Sequence, residues 1–237
     1  MCIRDRNKDG KKIKKGSVIQ FTVPEAAKPL YFYLQRAILK NGHHPMGIFV
    51  PSPDGQYNVQ ADFYTHAAKK QVDFIAKKFI KGQVDQIDGS IQILAEANPH
   101  ALKSIDSKKI MQRAQSQKPG LSYRRRKIES GKLDWTIALY GTDAMAKEAG
   151  MTLKAYWQQI IKACYLNDKD PVATWNTINK TVQTTAKKLT KLRIQSVHVV
   201  GSDVDLTLGI GSNRKWLAGG GCKYLPTRYL PPQTGQT

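Results

Sequence analysis

The sequence predicts an α/β fold: a doubly wound, mostly parallel sheet with flanking helices, followed by the start of a second α+β domain. Short apolar runs alternate with longer segments whose apolar residues recur at helical spacing. The joints between them are short, as in βαβ units with right-handed crossovers. After about residue 190 the pattern changes to two short runs joined by a tight turn, which is typical of antiparallel strands.

The first unit reads as strand, helix, strand. Residues 17–23 (SVIQFTV) predict a strand, and residues 25–40 predict a helix that Asn41-Gly42 ends through a left-handed C-cap. Residues 46–51 (MGIFVP) predict a second strand. The apolar positions of the helix are Ala26, Leu30, Leu34 and Ile38.

The same alternation continues along the chain. Strands are predicted at residues 90–95 and 133–140, and helices at residues 65–81, 106–118 (capped by Ser104 or Asp106) and 142–149. Two amphipathic helices follow at residues 152–166 and 171–189, then strands at 196–200 and 205–210 and a turn into 215–218. We divide the chain into an artefactual or disordered start (1–10), an amino-terminal α/β domain (11–190, helical from about 142), the start of a second domain (191–222) and an out-of-frame tail (223–237).

The strongest signal in the composition is positive charge. Lys and Arg number 38 against 18 Asp and Glu, a formal net charge of +20. Such a balance is typical of nucleic-acid-binding proteins, but it also fits a lysine-rich solvated surface. The basic residues are spread along the chain without the interleaved aromatic residues that stack bases, so nucleic acid is the disfavoured partner.

The apolar runs and the cysteines bear on membrane attachment and on cellular location. No run of 18 apolar residues exists, so no membrane span is predicted, and the first residues do not form a secretory signal. Cys2, Cys164 and Cys222 lack metal-ligand spacing, and an odd, sparse count fits reduced thiols in a cytoplasmic protein.

No nucleotide-binding loop of the well-known kinds is present, and Gly219-Gly220-Gly221 is interpreted as a flexible turn. Adjacent His43 and His44 are expected in a solvated turn, with metal binding as the less favoured alternative, and His198 in a half-exposed strand. Asp203 and Asp205 flank Val204 and are expected at a turn and strand edge, with a metal or acid/base pair as the less favoured reading. His66 and His100 complete the histidines. From these positions we assign no catalytic, metal-ligating or cofactor-binding residue.

Several segments together resemble the M29 family of metal-dependent aminopeptidases, over about residues 11–222. The matching stretches are residues 15–30, Asn41-Gly42-His43-His44-Pro45, Leu139-Tyr140-Gly141-Thr142, residues 145–152 (MAKEAGMT), residues 156–175, residues 201–208 (GSDVDLTL) and residues 214–220 (RKWLAGG). The resemblance implies hydrolysis of the amino-terminal residue from peptide substrates, by a homodimer. It also implies two divalent ions of zinc, cobalt or magnesium type, which activate a water and polarise the scissile carbonyl.

The sequence departs from the family pattern after Cys222. The family continues with a segment that carries the first metal-ligand Glu, whereas here Pro226-Thr227 is followed by no such residue, and no Asp, Glu or His follows Asp205. We interpret the tail as a reading-frame shift after Cys222, and Met1–Arg6 as the translated end of a sequencing adapter. The expectation is therefore an inactive amino-terminal part of an aminopeptidase; the alternatives are a basic α/β nucleic-acid-binding protein and a scaffold protein without enzyme activity.

Overall fold

The structure is a computed structural model that describes residues 13–54, 56–211 and 214–218. The predicted adapter-derived start, the glycine run 219–221 and the predicted out-of-frame tail lie outside the described residues. By their internal contacts the described residues form two compact units, 13–163 and 164–218. This division falls before the domain boundary predicted at residue 190, and the domain organisation of the full protein stays a prediction.

A four-stranded parallel sheet forms the centre of the first unit. Its strands are β1 (Val18–Pro24), β2 (His44–Val50), β3 (Gly89–Leu94) and β4 (Asp134–Leu139). They lie in the order β2-β1-β3-β4, and every neighbouring pair is parallel. The predicted doubly wound α/β fold is confirmed.

One face of the sheet carries the main core. In β1 the odd-numbered residues Ile19, Phe21 and Val23 are fully buried and alternate with half-buried residues, as the two-residue pleat requires. Helix α1 (Lys28–Lys40) covers this face with Leu34 and Ile38. The helix ends as predicted, since Gly42 adopts a φ of +75°, which glycine reaches without steric cost.

Three short helices replace the single helix predicted at residues 65–81: α2 (Val59–His66), α3 (Lys69–Asp73) and α4 (Lys77–Gln86). The prediction was wrong because the backbone is extended at Ala67, Ala68 and Phe74, although the apolar spacing continues through these joints. The last carbonyl groups of these helices accept hydrogen bonds from side chains elsewhere in the chain, and helical spacing does not reveal such bonds.

Helix α5 (Ser107–Ser116) begins as predicted, with Asp106 accepting a hydrogen bond from the Lys108 amide. A further helix, α6 (Lys118–Glu129), was missed. Pro119 and Gly120 suggest a break, but proline is favoured in the first turn of a helix, and glycine here permits close packing on Ile80. Helices α4 and α6 cover the second face of the sheet.

Helices α7 (Asp143–Glu148) and α8 (Leu153–Ala163) complete the first unit. Thr142 caps α7, since its Oγ1 accepts a hydrogen bond from the Met145 amide at 3.2 Å. The ring of Tyr140 packs edge-on against Trp157 of α8, with centroids 5.0 Å apart. Gly141 permits this approach, because a Cβ at this position would lie 3.0 Å from Ile160.

The second unit holds helix α9 (Pro171–Lys191) and an antiparallel hairpin, β5 (Ser196–Val200) and β6 (Asp205–Gly209). Both the long helix and the hairpin match the sequence prediction. Asp170 caps α9 by accepting hydrogen bonds from the amides of Val172 and Ala173. No helix among the described residues is both long enough and apolar enough to cross a bilayer.

Candidate functional site

The sheet topology marks one edge as the expected place for a ligand. The chain runs from β1 to β2 on one side and then crosses back to β3 on the other side of β1, so the strand order reverses at β1. In doubly wound sheets, ligands bind outside the carboxyl ends of the strands at such a reversal. Glu25 directly follows β1, and Glu96 closely follows β3. These two carboxylates follow the two central strands of the sheet.

The hydrogen bonds of the edge tie its loops together. Glu25 Oε2 accepts from the Ser52 amide at 3.2 Å, and Ser52 Oγ accepts from the Ala26 amide at 3.0 Å, which joins the ends of β1 and β2. Thr142 Oγ1 donates to the Glu96 carbonyl and so joins the ends of β3 and β4. The polar groups here stabilise the ends of the strands.

One acid and one histidine meet near this edge without being predicted as a pair. His100 Nε2 lies 2.8 Å from Glu148 Oε1, and more than half of each side chain is exposed. The pair connects the loop after β3 with helix α7. For hydrolysis such a pair also needs a nucleophile or a metal-bound water.

A second histidine–carboxylate pair lies on the hairpin. His198 Nε2 is 2.6 Å from Asp205 Oδ1, across the β5–β6 pair. Both residues were predicted at strand positions, but their contact was not predicted. The signal was present in the hairpin register: Asp205 lies opposite Val200, so His198 and Asp205 are diagonal neighbours on one face.

The remaining sequence candidates are dispersed. His44 is the first residue of β2 and not part of a solvated turn, because its amide donates to the Ser17 carbonyl at the start of the sheet. His66 lies 3.4 Å from Asp62, one turn earlier on α2. Asp203 lies in the turn before β6, and Cys164 is a free, half-buried thiol.

A divalent metal centre does not fit the described part of the chain. Within residues 13–54, 56–211 and 214–218, no three His, Cys, Asp or Glu side chains come close enough to share an ion. The histidine–carboxylate pairs offer two donors each, whereas protein metal sites use three or more ligands. We therefore derive no catalytic step through a metal from these residues.

Several cations of α5 and α6 bond the carbonyl groups at the helix ends described above. Lys109 Nζ donates to the Tyr64 carbonyl of α2, and Arg113 Nη1 donates to the carbonyls of Val72 and Phe74 at the end of α3. Lys127 Nζ donates to three carbonyls at 2.6–2.8 Å, those of Val84, Asp85 and Ile87 at the end of α4. Cations are favourable at helix carboxyl ends, so part of the basic charge has a structural role.

Near the same helices, Lys81, Asp85 and Tyr123 form an exposed cluster in which hydrogen bonds shift the pKa of each member. The Tyr123 hydroxyl donates to Asp85, and Lys81 Nζ lies 3.1 Å from the same carboxylate. The hydrogen bond from Tyr123 and then that from Lys81 lower the pKa of Asp85, and the bond to Asp85 raises the pKa of Lys81 and of Tyr123. The cluster links α4 to α6 at the surface, and Asp85 is its one carboxylate.

Known proteins show the same architecture. Wild-type AmpT from Thermus thermophilus superposes with a TM-score of 0.66 at 17% sequence identity, over 83% of this chain and 49% of that chain. At this identity the superposition establishes the fold.

Sequence relatives are aminopeptidases by name. Aminopeptidase PepS of Streptococcus thermophilus is 27% identical over 110 residues, which are 44% of this chain and 27% of that protein. Aminopeptidase T of Thermus aquaticus is 27% identical over 143 residues, 56% of this chain and 34% of that protein. The matched segments thus span about a third or less of each relative.

A family model covers nearly the whole sequence. The model described as "Thermophilic metalloprotease (M29)" matches residues 7–231. The resemblance that the motifs indicated is therefore confirmed, and the chain belongs to the M29 family of metalloproteases.

Proposed function

We propose that this chain is the amino-terminal part of a metal-dependent aminopeptidase that removes amino-terminal residues from peptides. The observation that carries the proposal is the family match over residues 7–231, together with relatives that are aminopeptidases by name and of which the chain matches only 27–34%. In this proposal the described residues form a scaffold, and the two divalent ions, of zinc, cobalt or magnesium type, are bound by residues of the parent protein beyond this chain.

The exposure of the hairpin supports this reading. Val200, Leu206 and Leu208 are 46–68% exposed, and all of β6 lies open to solvent. An isolated two-stranded hairpin is marginally stable in water, because it lacks a layer on which to bury its apolar face. Such a hairpin fits the beginning of a larger sheet, in agreement with a second domain that starts near residue 191. A cytoplasmic homodimer is the proposed state of the parent.

Activity measurements test the proposal directly. The 237-residue chain is expected to release no product from a leucyl reporter substrate with Zn²⁺, Co²⁺ or Mg²⁺, whereas the parent, read in the corrected frame past Cys222, is expected to cleave it and to lose activity with a chelator. Chelator-sensitive cleavage by the purified 237-residue chain would show that the metal ligands are not confined to the rest of the parent protein. Absence of the expected Glu-containing segment from the other reading frames after codon 222 would remove the frameshift proposal.

The net charge of +20 keeps nucleic-acid binding as the second candidate. The capping roles of Lys109, Arg113 and Lys127 weaken it, because cations held against carbonyl groups are less available to phosphates. A nucleic-acid-binding protein loses affinity steeply between low and moderate salt, independently of base sequence. We expect the 237-residue chain to show only weak binding to DNA or RNA at moderate salt, and tight, steeply salt-dependent binding would favour this candidate instead.

A further inference from the structure

A cavity of about 180 Å³ lies between the second face of the sheet and helices α4 and α6. Its polar lining comes from three glutamines (Gln20, Gln83 and Gln117) and from the guanidinium group of Arg124. Much of the remaining wall is aliphatic, including Ile80 and Ile87. The cavity therefore combines one cation, several amides and an apolar surface.

The sheet face at this cavity is unusually polar. Gln20 of β1 and Ser90 of β3 are direct neighbours in the parallel register, and Thr22 and Gln92 form the next polar pair on the same face. Doubly wound sheets normally bury apolar residues on both faces. The opposite face follows that rule with Ile19, which is fully buried, so the polar row is specific to the side that α4 and α6 cover.

Arg124 is only partly satisfied in this position. Its Nη2 donates to Ser90 Oγ at 2.9 Å, but its buried Nε has no hydrogen-bond partner among the described residues. Desolvation by burial lowers the pKa of Arg124. The residues that line the cavity in the described part of the chain include no carboxylate to balance the charge. A partly buried guanidinium charge is costly unless an anion pairs with it.

One neighbouring amide, that of Gln20, has donors left for an anion. Gln83 Nε2 donates to Gln20 Oε1 at 2.9 Å, which leaves the amide N–H groups of Gln20 free to donate to a further acceptor. A guanidinium group and an amide together match the two oxygens of a carboxylate. A phosphate dianion would require additional cations in the lining, whereas the aliphatic wall suits a short hydrocarbon chain.

We propose that this cavity is a binding site for a small aliphatic carboxylate, with the carboxylate paired to Arg124 and the hydrocarbon chain packed against Ile80 and Ile87. Nothing in this proposal depends on the peptidase activity proposed above.

Calorimetric titration of the 237-residue chain with 3-methylbutanoate tests the site. We expect saturable binding with one ligand per chain, and affinity for the neutral isostere 3-methylbutanamide lower by at least about tenfold, because the amide cannot pair with the guanidinium group. Arg124→Gln is expected to weaken 3-methylbutanoate binding by a similar factor. Arg125→Gln is the matched control, since Arg125 is the next residue of α6 and is exposed.

A spectroscopic measurement keeps the test independent of the stability of the Arg124 variant. In ¹⁵N-labelled chain, the side-chain Nε–H resonance assigned to Arg124 is expected to shift on titration with 3-methylbutanoate and to stay in place with the neutral amide. Absence of saturable 3-methylbutanoate binding to the unmodified chain, or binding without a shift of this resonance, would overturn the proposal. Inorganic phosphate that binds as tightly as 3-methylbutanoate would overturn the assigned ligand class.

Discussion

The parallel strand pair β1–β3 and the antiparallel hairpin β5–β6 contain similar apolar residues but differ completely in their exposure. Ile19, Phe21 and Ile91 are at most 1% exposed, whereas Val200 and Leu208 are 68% and 49% exposed. The parallel pair has helix α1 on its apolar face, whereas every hairpin residue except the half-buried Val197 is exposed. Apolar alternation therefore indicates a strand, but burial requires a second layer.

The largest expected difference between the two regions is the cost of truncating an apolar side chain. Phe21→Ala removes a fully buried ring that packs against Tyr31, with centroids 4.8 Å apart, and should lower the free energy of unfolding by about 3–5 kcal/mol. Leu208→Ala in the hairpin should change it by no more than about 0.5 kcal/mol, because the side chain is already half exposed. Urea unfolding followed by circular dichroism measures both variants. Comparable losses would mean that the hairpin has a packed partner.

The next test concerns the helix ends of the first unit. Lys127→Met keeps a long aliphatic side chain but removes the ammonium group that bonds three carbonyls at the end of α4. The free energy of unfolding should fall by about 1–3 kcal/mol, because two of the three hydrogen bonds that lose their charged donor are partly buried. Lys118→Met is the control, since Lys118 is exposed at the start of the same helix, where a cation is not favoured. Equal effects of the two variants would contradict a specific capping role.

Local sequence information was sufficient to predict a helix or strand where the residues that begin and end it lie within the same segment. The β1-α1-β2 unit was predicted because its apolar spacing, the Asn41-Gly42 ending and the short joints all lie within the segment. The cap at Asp106 was likewise predicted, since an N-cap bonds the amides of the next few residues.

Long-range contacts account for what the sequence did not predict. Residues 65–81 break into separate helices whose ends are bonded by Lys109 and Arg113, about forty residues away. The cavity at Arg124 was also missed, since a basic run gives no sign of which arginine turns inward toward Ser90. The His198–Asp205 pair needed only the hairpin register, so it was within reach of sequence reasoning.

A smaller effect is expected from the cap that starts the long helix of the second unit. Asp170→Ala removes the carboxylate that accepts from two amides of α9, at 3.0 Å each, and should cost about 1 kcal/mol. Asp170→Asn retains an accepting oxygen and should stay within a few tenths of a kcal/mol of the unmodified chain. Urea titration at neutral pH compares them. If Asn cost as much as Ala, the charge and not the hydrogen bonds would be the stabilising feature.

The smallest expected effect on the free energy of unfolding concerns β4, the outer strand of the sheet, whose burial is intermediate between that of β1 and that of the hairpin. Asp134 begins the edge strand β4, and desolvation by burial raises its pKa above the ordinary value of 3.8. The folded state therefore holds the proton to higher pH than the unfolded state, so the contribution of this group to stability falls as pH rises from 3.8 through the raised value. Asp134→Asn should be slightly more stable than the unmodified chain at pH 7, and the difference should disappear at pH 3. Urea unfolding at both values measures this, and a variant that is less stable at pH 7 would show that the carboxylate has a stabilising partner.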